Sequence, residues 1–178
     1  MGGYGSGRWG WHSKRYTVED CRWVSADHLT REKILIHGVH HTGSWAWWNS
    51  RTGEKTASID YEVNTLDLNA PWIALRYTLI KSGEKVDYRL WLSTTPLPRE
   101  GVRWWFICPL VVGGQACGRR VGKLYLSPGG KYFGCRHCYN LTYTSCQESH
   151  KYDIVLSKIG KEMGLTPSLV KKVLFGGA

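Results

Sequence analysis

Apolar and polar side chains alternate along the chain from residue 44 to residue 94. A period of two residues is typical of strands that bury one face of a sheet and expose the other. The pattern predicts four antiparallel strands, at residues 44–48, 56–64, 71–80 and 85–94. Glycine-containing segments at Asn49–Glu54 and Lys81–Glu84 predict hairpin turns. The first half of the chain is therefore expected to form an antiparallel sheet.

A short helix is predicted before these strands, over residues 24–36. Ser25 is a suitable N-cap, because its hydroxyl can accept a hydrogen bond from a backbone N–H of the first turn. Asp27 lies in that turn, where the helix dipole favours a carboxylate. Val24 can pack against Leu29 and fix the entry of the chain. We expect this helix to cover one face of the sheet.

Two pairs of cysteines follow the sheet, Cys108 with Cys117 and Cys135 with Cys138. The segment between the pairs predicts a β-hairpin with its turn at residues 128–130. Two cysteine turns joined by a hairpin are the layout of a zinc ribbon, in which Zn²⁺ takes four thiolates in a tetrahedron. Seventeen residues separate the second cysteine from the third, which is a typical spacing for a Cys₄ site.

The first cysteine pair is unusually wide, with eight residues between Cys108 and Cys117. We interpret residues 110–116 (LVVGGQA) as an insertion that loops out through Gly113 and Gly114. His137 lies inside the second pair and is expected to point outward. Disulfides or plain buried cysteines are the alternatives to a metal site. A reducing compartment favours the metal, because disulfides do not persist there.

Other potential ligands and acids have looser spacing. A second metal site is conceivable from Cys21, His28, His37, His40 and His41, but no carboxylate clusters with them, so solvated or core histidines are expected. Cys21 and Cys146 are expected to be free thiols. The carboxylates at positions 60 and 62 share one strand face, which favours a solvated face over an acid–base pair. No glycine-rich phosphate loop or nucleophile elbow is found, so the sequence indicates a protein that is not an enzyme.

Positive charge is concentrated in the second half of the chain. The net charge is +10, and residues 99–178 carry +8 of it, from 12 basic and 4 acidic residues. Such asymmetry usually indicates contact with a polyanion. Nucleic acid is therefore the expected partner. The predicted phosphate contacts of this half are Arg103, Arg119, Arg120, Lys123, Lys131 and Arg136, with Tyr125, Tyr132 and Tyr139 as stacking faces.

The first 18 residues are rich in glycine and aromatic residues and contain no acid. This composition predicts either a flexible arm or an extended strap held by Trp9, Trp11 and Tyr16. As an arm, it would contribute Arg8, Lys14 and Arg15 to nucleic-acid binding.

The chain as a whole predicts an α+β fold, mainly an antiparallel β-sheet with a short helix, followed by a Cys₄ zinc ribbon and a small C-terminal helical segment. The predicted segments are the N-terminal arm or strap at 1–18, the β-rich domain at 19–98, the zinc ribbon at 99–146 and a helical hairpin at 147–178. Gly164 ends the first helix of that hairpin, and Thr166 caps the second. A groove-reading helix–turn–helix is the alternative for this tail.

The compartment is expected to be the cytoplasm. No stretch of 18 residues is apolar throughout, so no membrane span is predicted. The first residues lack the apolar core of a secretory signal.

Three motifs carry a resemblance to a known group of proteins: GSGRWGW at 5–11, GSWAWW at 43–48, and the tract from WFICP through CGRRVGKLYL to CRHCYNLTYTSCQES. The chain resembles a family of small, mostly uncharacterised bacterial and phage-borne proteins found on mobile elements. The resemblance implies a zinc ribbon and a mobile-element setting, without an established activity. The insertion at 110–116 departs from the compact C-P-x-C-G that similar proteins have at the first cysteine pair.

The sequence thus predicts a non-enzymatic zinc-ribbon protein that binds nucleic acid, or a nucleic-acid-bound complex, through its basic C-terminal half. The alternative is a phage or mobile-element inhibitor that binds a host defence complex (such as CRISPR) or a transcription complex by protein–protein contact. A zinc-dependent hydrolase would need an open metal position, which a Cys₄ site lacks.

Overall fold

The computed structural model describes residues 15–48, 51–80, 82–98, 101–148, 153–166 and 169. The chain divides into two compact units, one ending at Leu141 and the other beginning at Thr142. The finer division into four segments stays a prediction. Residues 1–14, which make up most of the predicted arm or strap, lie outside the described residues.

The first unit consists mainly of strands. They are β1 (Arg22–Ser25), β2 (His40–Trp48), β3 (Lys55–Asn64), β4 (Trp72–Thr78), β5 (Lys85–Pro96), β6 (Val102–Ile107), β7 (Val111–Val112), β8 (Gln115–Ala116), β9 (Arg120–Val121) and β10 (Lys123–Leu126). A 3₁₀ turn (Val18–Asp20) precedes β1, and helix α1 (Ala26–Arg31) follows β1. The predicted fold class, an antiparallel sheet with short helices and a four-cysteine cluster, is confirmed.

The main sheet has six strands in the order β2-β3-β4-β5-β6-β9, and all neighbouring pairs are antiparallel. Its first four strands are those that the alternating pattern predicts. Strand β6 pairs with the end of β5, and β9 pairs with the end of β6. The sheet therefore continues into the segment that carries the cysteines.

The two faces of this sheet differ in composition. On the inner face, apolar side chains form the core, including Ile59, Val63, Ile73, Leu75, Leu90, Leu92 and Phe106. The outer face carries the intervening residues of the same strands, most of them polar or basic. The alternation that predicts the strands therefore also separates the buried face from the open one.

Helix α1 packs over the end of the sheet near β6, with Ala26 and Leu29 buried. Ser25 caps it as predicted, accepting a hydrogen bond from the His28 backbone N–H at 3.5 Å. The helix is shorter than predicted, because Lys33 adopts a left-handed conformation (φ +56°) that an α-helix cannot continue. Strand β1 pairs with β10 in a separate two-stranded sheet, which the sequence does not predict.

The second unit contains two described helices, α2 (Thr144–Glu148) and α3 (Asp153–Met163). Gly164 follows α3 with φ +66°, and the Leu165 N–H donates to the Gly160 carbonyl at 2.8 Å. This is the glycine C-cap that the sequence predicts. The helix predicted after Thr166 lies outside the described residues, apart from residue 169. In the described part of the chain, no helix is long and apolar enough to cross a membrane.

Candidate metal centre and basic surface

The first cysteine pair is brought together by a small hairpin. Strands β7 and β8 pair across Gly113 and Gly114, whose φ angles of +60° and +81° suit a two-residue hairpin turn. At the base of this hairpin, the Cys117 N–H donates to the Leu110 carbonyl at 2.8 Å. The Gly118 N–H donates to the Cys108 carbonyl at 3.2 Å. The insertion therefore projects away and leaves the two cysteines adjacent.

The second pair sits in a tight turn after the Gly134 bridge to Tyr125. The Cys138 N–H donates to the Cys135 sulfur at 3.4 Å, and the Cys135 N–H donates to the Cys108 sulfur at 3.2 Å. Backbone N–H groups that point at sulfur stabilise the thiolate form, which is the form that binds metals.

The four sulfur atoms approach a tetrahedron. Cys108 and Cys138 are 3.8 Å apart, as are Cys117 and Cys135, while Cys135 and Cys138 are 3.5 Å apart. All four sulfurs lie within 4.8 Å of one another. A tetrahedral site with metal–sulfur distances of about 2.3 Å has edges of about 3.8 Å. All four cysteines are free thiols, so the disulfide alternative is not found, and the residues fit a Cys₄ metal site.

Burial and mutual proximity shift the pKa values of three thiols in this cluster. Burial raises the pKa of Cys108 to about 11. Burial and the neighbouring thiols raise the pKa of Cys138 above its usual range. For Cys117, burial acts to raise the pKa, but hydrogen bonds from the Arg119 N–H and the neighbouring thiols outweigh it and lower the pKa. Four thiolates this close together repel one another strongly unless a metal ion compensates their charge.

The looser candidate ligands do not assemble. The Cys21 thiol donates to the Thr17 carbonyl at 3.3 Å, and His40 lies 3.1 Å from a Glu62 oxygen. His41 packs edge-on against Tyr61. Among the residues that the structure describes, the four cysteines are the group that can hold a metal. Cys21 and Cys146 are free thiols, as predicted, and His137 is exposed.

Two of the predicted phosphate contacts lie together on the outer face. The guanidinium carbons of Arg103 and Arg120 are 4.3 and 5.4 Å from the centre of the Trp105 ring. Arg120 also donates to the Thr95 hydroxyl at 2.8 Å, and the Trp105 indole N–H donates to the same oxygen at 3.0 Å. These contacts hold both arginines in fixed positions.

The other predicted basic residues are dispersed. Lys123 lies over the Trp23 ring at 5.1 Å, on the small sheet formed by β1 and β10. Lys131 forms an ion pair with Glu84 at 2.6 Å. Arg119 and Arg136 accompany the two cysteine pairs, where they can also balance the negative charge of a thiolate–metal site. Of the predicted N-terminal contacts, only Arg15 is described, and it is exposed. Arg8 and Lys14 lie outside the described residues.

The ribbon tyrosines mainly hold the ribbon together. The Tyr139 hydroxyl donates to the Tyr132 carbonyl, and the same side chain lies so close to Gly130 that a Cβ there would clash with it. The Tyr132 ring packs edge-on against Tyr88, with their centres 4.9 Å apart. Of the three predicted stacking faces, Tyr125, Tyr132 and Tyr139, the last is therefore used for packing and is a poor platform for a base.

Sequence reasoning missed a set of outer-face residues on β4, β5 and β6: Trp72, Arg89, Trp91 and Trp105. The guanidinium carbon of Arg89 lies 4.4 Å from the centre of the Trp72 ring. The signal was present, because Arg89 and Trp91 occupy the alternate positions of a strand whose Leu90 and Leu92 are buried.

Comparison with known proteins provides no further identification: no protein family, no curated protein and no solved structure matches this chain. The resemblance carried by the sequence motifs stays a prediction. What the structure shows is an antiparallel sheet with a cluster of four cysteines arranged as a metal site.

Proposed function

We propose that this protein is a non-enzymatic zinc-ribbon protein that binds nucleic acid through the basic half of the chain. The observation that carries the proposal is the closed Cys₄ cluster together with two arginines stacked on Trp105. Trp105 lies on β6, the strand that leads directly to Cys108. Zn²⁺ is the metal of this proposal, because thiolate sites of tetrahedral geometry favour Zn²⁺ or iron–sulfur centres, and a ribbon of two knuckles is typical of structural zinc.

The donor set supports a structural rather than a catalytic metal. A catalytic zinc keeps one position open for water or substrate, whereas four cysteine ligands occupy all four positions. Cys108 is 2% exposed and Cys135 is fully buried, so two of the ligands are also shielded from solvent. The metal would then fix the ribbon and the basic strand β9 that precedes β10.

The charge of the chain supports a polyanionic partner. The net charge of +8 on residues 99–178 places most of the chain's excess positive charge in fewer than half of its residues. In the described part of the chain, the ion pairs involve Asp27, Glu62, Glu84 and Asp87, and none of these carboxylates pairs with Arg103, Arg120 or Lys123. These cations remain available to phosphate groups. The free thiols are consistent with a reducing compartment, so the proposal places the protein in the cytoplasm.

Metal analysis combined with a binding titration tests the proposal. We expect one zinc per chain and binding to oligonucleotides that weakens steeply as salt rises, because each phosphate contact releases counterions. Arg119→Ala combined with Arg120→Ala should flatten the salt dependence while leaving the zinc content unchanged. A zinc-loaded protein that binds no DNA or RNA at low salt would refute the nucleic-acid part of the proposal.

A second candidate function is a mobile-element inhibitor that binds a host defence or transcription complex by protein contact. One observation favours it: Val111 and Val112, on strand β7 beside the glycine turn of the β7–β8 hairpin, are 63% and 54% exposed. Such a hairpin is suited to insertion into a protein pocket. Replacing both valines by serine should abolish capture of a host protein that survives nuclease treatment and high salt, and should leave oligonucleotide binding unchanged.

A further inference from the structure

The outer face of the sheet carries a group of tryptophans and arginines that we call the Trp–Arg face. Its members are Trp72, Arg89, Trp91, Arg103, Trp105 and Arg120. The strand register places them on one side, because Trp72 lies opposite Trp91, and Thr95 lies opposite Arg103. The Trp–Arg face thus spans β4, β5, β6 and β9.

The arginines of this face are held in place by aromatic rings rather than by carboxylates. Arg103 and Arg120 stack on Trp105, and Arg89 stacks on Trp72. Within the described ranges, no carboxylate forms an ion pair with these three arginines. A guanidinium positioned by stacking keeps N–H donors for an anion and loses little side-chain entropy on binding it, although one donor of Arg120 is used by Thr95.

Arg76 shows the contrast on the same face of the sheet. It lies on β4 and is bound by both Glu62 and Asp87, the latter at 3.1 Å. Its charge is therefore neutralised within the protein. The outer face is divided into a charge-balanced part around Arg76 and an unbalanced cationic part at the Trp–Arg face.

Trp91 lies in the middle of the cationic part and is 51% exposed. No ring or guanidinium of the described residues stacks on it, unlike Trp72 and Trp105. Arg89 lies two residues earlier on the same strand face, about 6.8 Å away along β5. An indole left half exposed among fixed cations offers a π-face to a planar ligand that also carries negative charge.

We propose that the Trp–Arg face binds single-stranded nucleic acid, with a base stacked on Trp91 and the backbone phosphates on Arg89, Arg103 and Arg120. This inference rests on the proposed function and specifies its substrate class. Unpaired bases can expose their faces to an aromatic side chain, whereas the bases of a duplex are already stacked on one another. The Trp–Arg face lies on strands within a sheet, and none of its members lies on a helix that could enter a major groove.

Fluorescence anisotropy with labelled oligo(dT), oligo(U) and a duplex, each about 12 nucleotides or base pairs long, tests the inference. Trp91→Ala should weaken binding to both single strands by about 5- to 100-fold, the range for loss of one stacked base. Trp91→Tyr should restore most of the affinity, because a phenol ring also stacks. The DNA and RNA arms decide whether a 2′-hydroxyl contributes, and the proposal holds in either case.

Trp48 provides the matched control. It is 64% exposed and lies on β2, at the opposite edge of the six-stranded sheet. Trp48→Ala should change the affinity for single strands by less than about twofold. Thermal melting and zinc content should match those of the wild-type protein for both alanine variants, since both rings lie on the surface.

The arginines give an independent readout. Replacing Arg103 and Arg120 by alanine should lower the slope of log K against log salt on single strands by about 1.4, or about 0.7 for each lost phosphate contact. Arg31→Ala is the control, because Arg31 is exposed on α1 and already pairs with Asp27. It should leave the slope unchanged.

The outcomes separate this inference from the proposed function. If the wild-type protein binds oligonucleotides with a steep salt dependence but Trp91→Ala behaves like Trp48→Ala, no base stacks on Trp91 and the inference is overturned, while the salt-dependent binding of the proposed function stands. If the duplex binds more tightly than the single strands, the inference is likewise overturned. If no oligonucleotide binds, both proposals fail together.

Discussion

Trp104 and Trp105 are neighbours on β6 but belong to opposite faces of the sheet. Trp104 is 3% exposed and lies in the core beside Phe106. Trp105 lies on the outer face, where Arg103 and Arg120 stack on its ring. Tryptophan therefore fills the core on one side of the strand and supports two arginine side chains on the other. The difference is decided by strand alternation, not by the side chain itself.

The comparison extends along both faces. On the inner face, aromatic side chains contact one another and the ribbon: Trp47 stacks on Phe133 with ring centres 6.5 Å apart. The Tyr77 hydroxyl donates to the Lys131 carbonyl at 2.6 Å, and the Phe133 N–H donates to the Tyr88 hydroxyl at 2.9 Å. The inner-face aromatics thus join the ribbon to the sheet. On the outer face, Trp72 and Trp105 instead carry arginines on their rings, and they also contact His40 and Thr95.

The largest expected effect comes from removing one cysteine of the proposed metal centre, which should disrupt both faces at once. Cys135→Ala should abolish zinc binding and unfold the first unit, because structural zinc sites contribute about 10–16 kcal/mol, as much as the whole stability of a typical domain. Elemental analysis and circular dichroism measure the loss. Cys146→Ala, at an exposed thiol of the second unit, is the control. A Cys135→Ala protein that melts like the wild type would contradict a structural metal.

The next effect separates the two neighbouring tryptophans. Trp104→Ala should lower the free energy of unfolding by about 3–5 kcal/mol, because it empties a buried aromatic site. Trp105→Ala should cost about 1 kcal/mol or less, the usual range for a surface contact. Urea denaturation of both variants measures the difference. If both variants lost the same free energy of unfolding, Trp105 would contribute to packing as much as Trp104 does, and the two faces would not differ in role.

Much of this comparison was predictable from the sequence. The alternation in 56–64, 71–80 and 85–94 predicts the strands correctly, because each strand is amphipathic and its hairpin neighbour is close in the chain. The four cysteines were also identified, since thiol spacing is a local signal. The same alternation indicates that Trp91 points away from Leu90 and Leu92. The predicted nucleic-acid contacts were nevertheless placed mainly on the ribbon, because the positive charge and the cysteines are concentrated there.

Other features depend on contacts that are distant in sequence. Pairing of Trp23 with Tyr125, and of Phe106 with Val121, joins segments that carry no local mark of their partners. The neutralisation of Lys131 by Glu84 is of the same kind, because the two residues are 47 positions apart. Such pairings are decided by tertiary packing, which overrides local pattern.

A smaller effect is expected at alkaline pH, and two tyrosines of the inner face contribute to it. Burial raises the pKa of Tyr77 to about 12, and burial and Tyr77 raise the pKa of Tyr88 further. Below pH 10 these tyrosines are protonated in both states, so their contribution is fully present. Above pH 10 they ionise in the unfolded state first, so stability falls as pH rises towards and beyond 12.

Urea titrations at several pH values measure this loss. Tyr77→Phe should flatten the decline, because phenylalanine cannot ionise. Tyr143→Phe, at an exposed tyrosine of the second unit, is the matched control and should leave the decline unchanged. A decline that is the same in all three proteins would show that ionisation of Tyr77 does not contribute to the alkaline loss.

The smallest effect concerns Lys131, which the sequence places among the phosphate contacts but which pairs with Glu84 at 2.6 Å. Both side chains are nearly half exposed, so the pair should contribute less than about 1 kcal/mol to stability in a double-mutant cycle. For nucleic-acid binding, Lys131 must first leave its carboxylate, whereas Arg120 is already held by Thr95 and Trp105. Lys131→Ala should therefore weaken binding less than Arg120→Ala does. Glu84→Gln should strengthen binding slightly, because it releases the lysine. If Lys131→Ala lost as much affinity as Arg120→Ala, the binding surface would include the ribbon turn rather than the outer face alone.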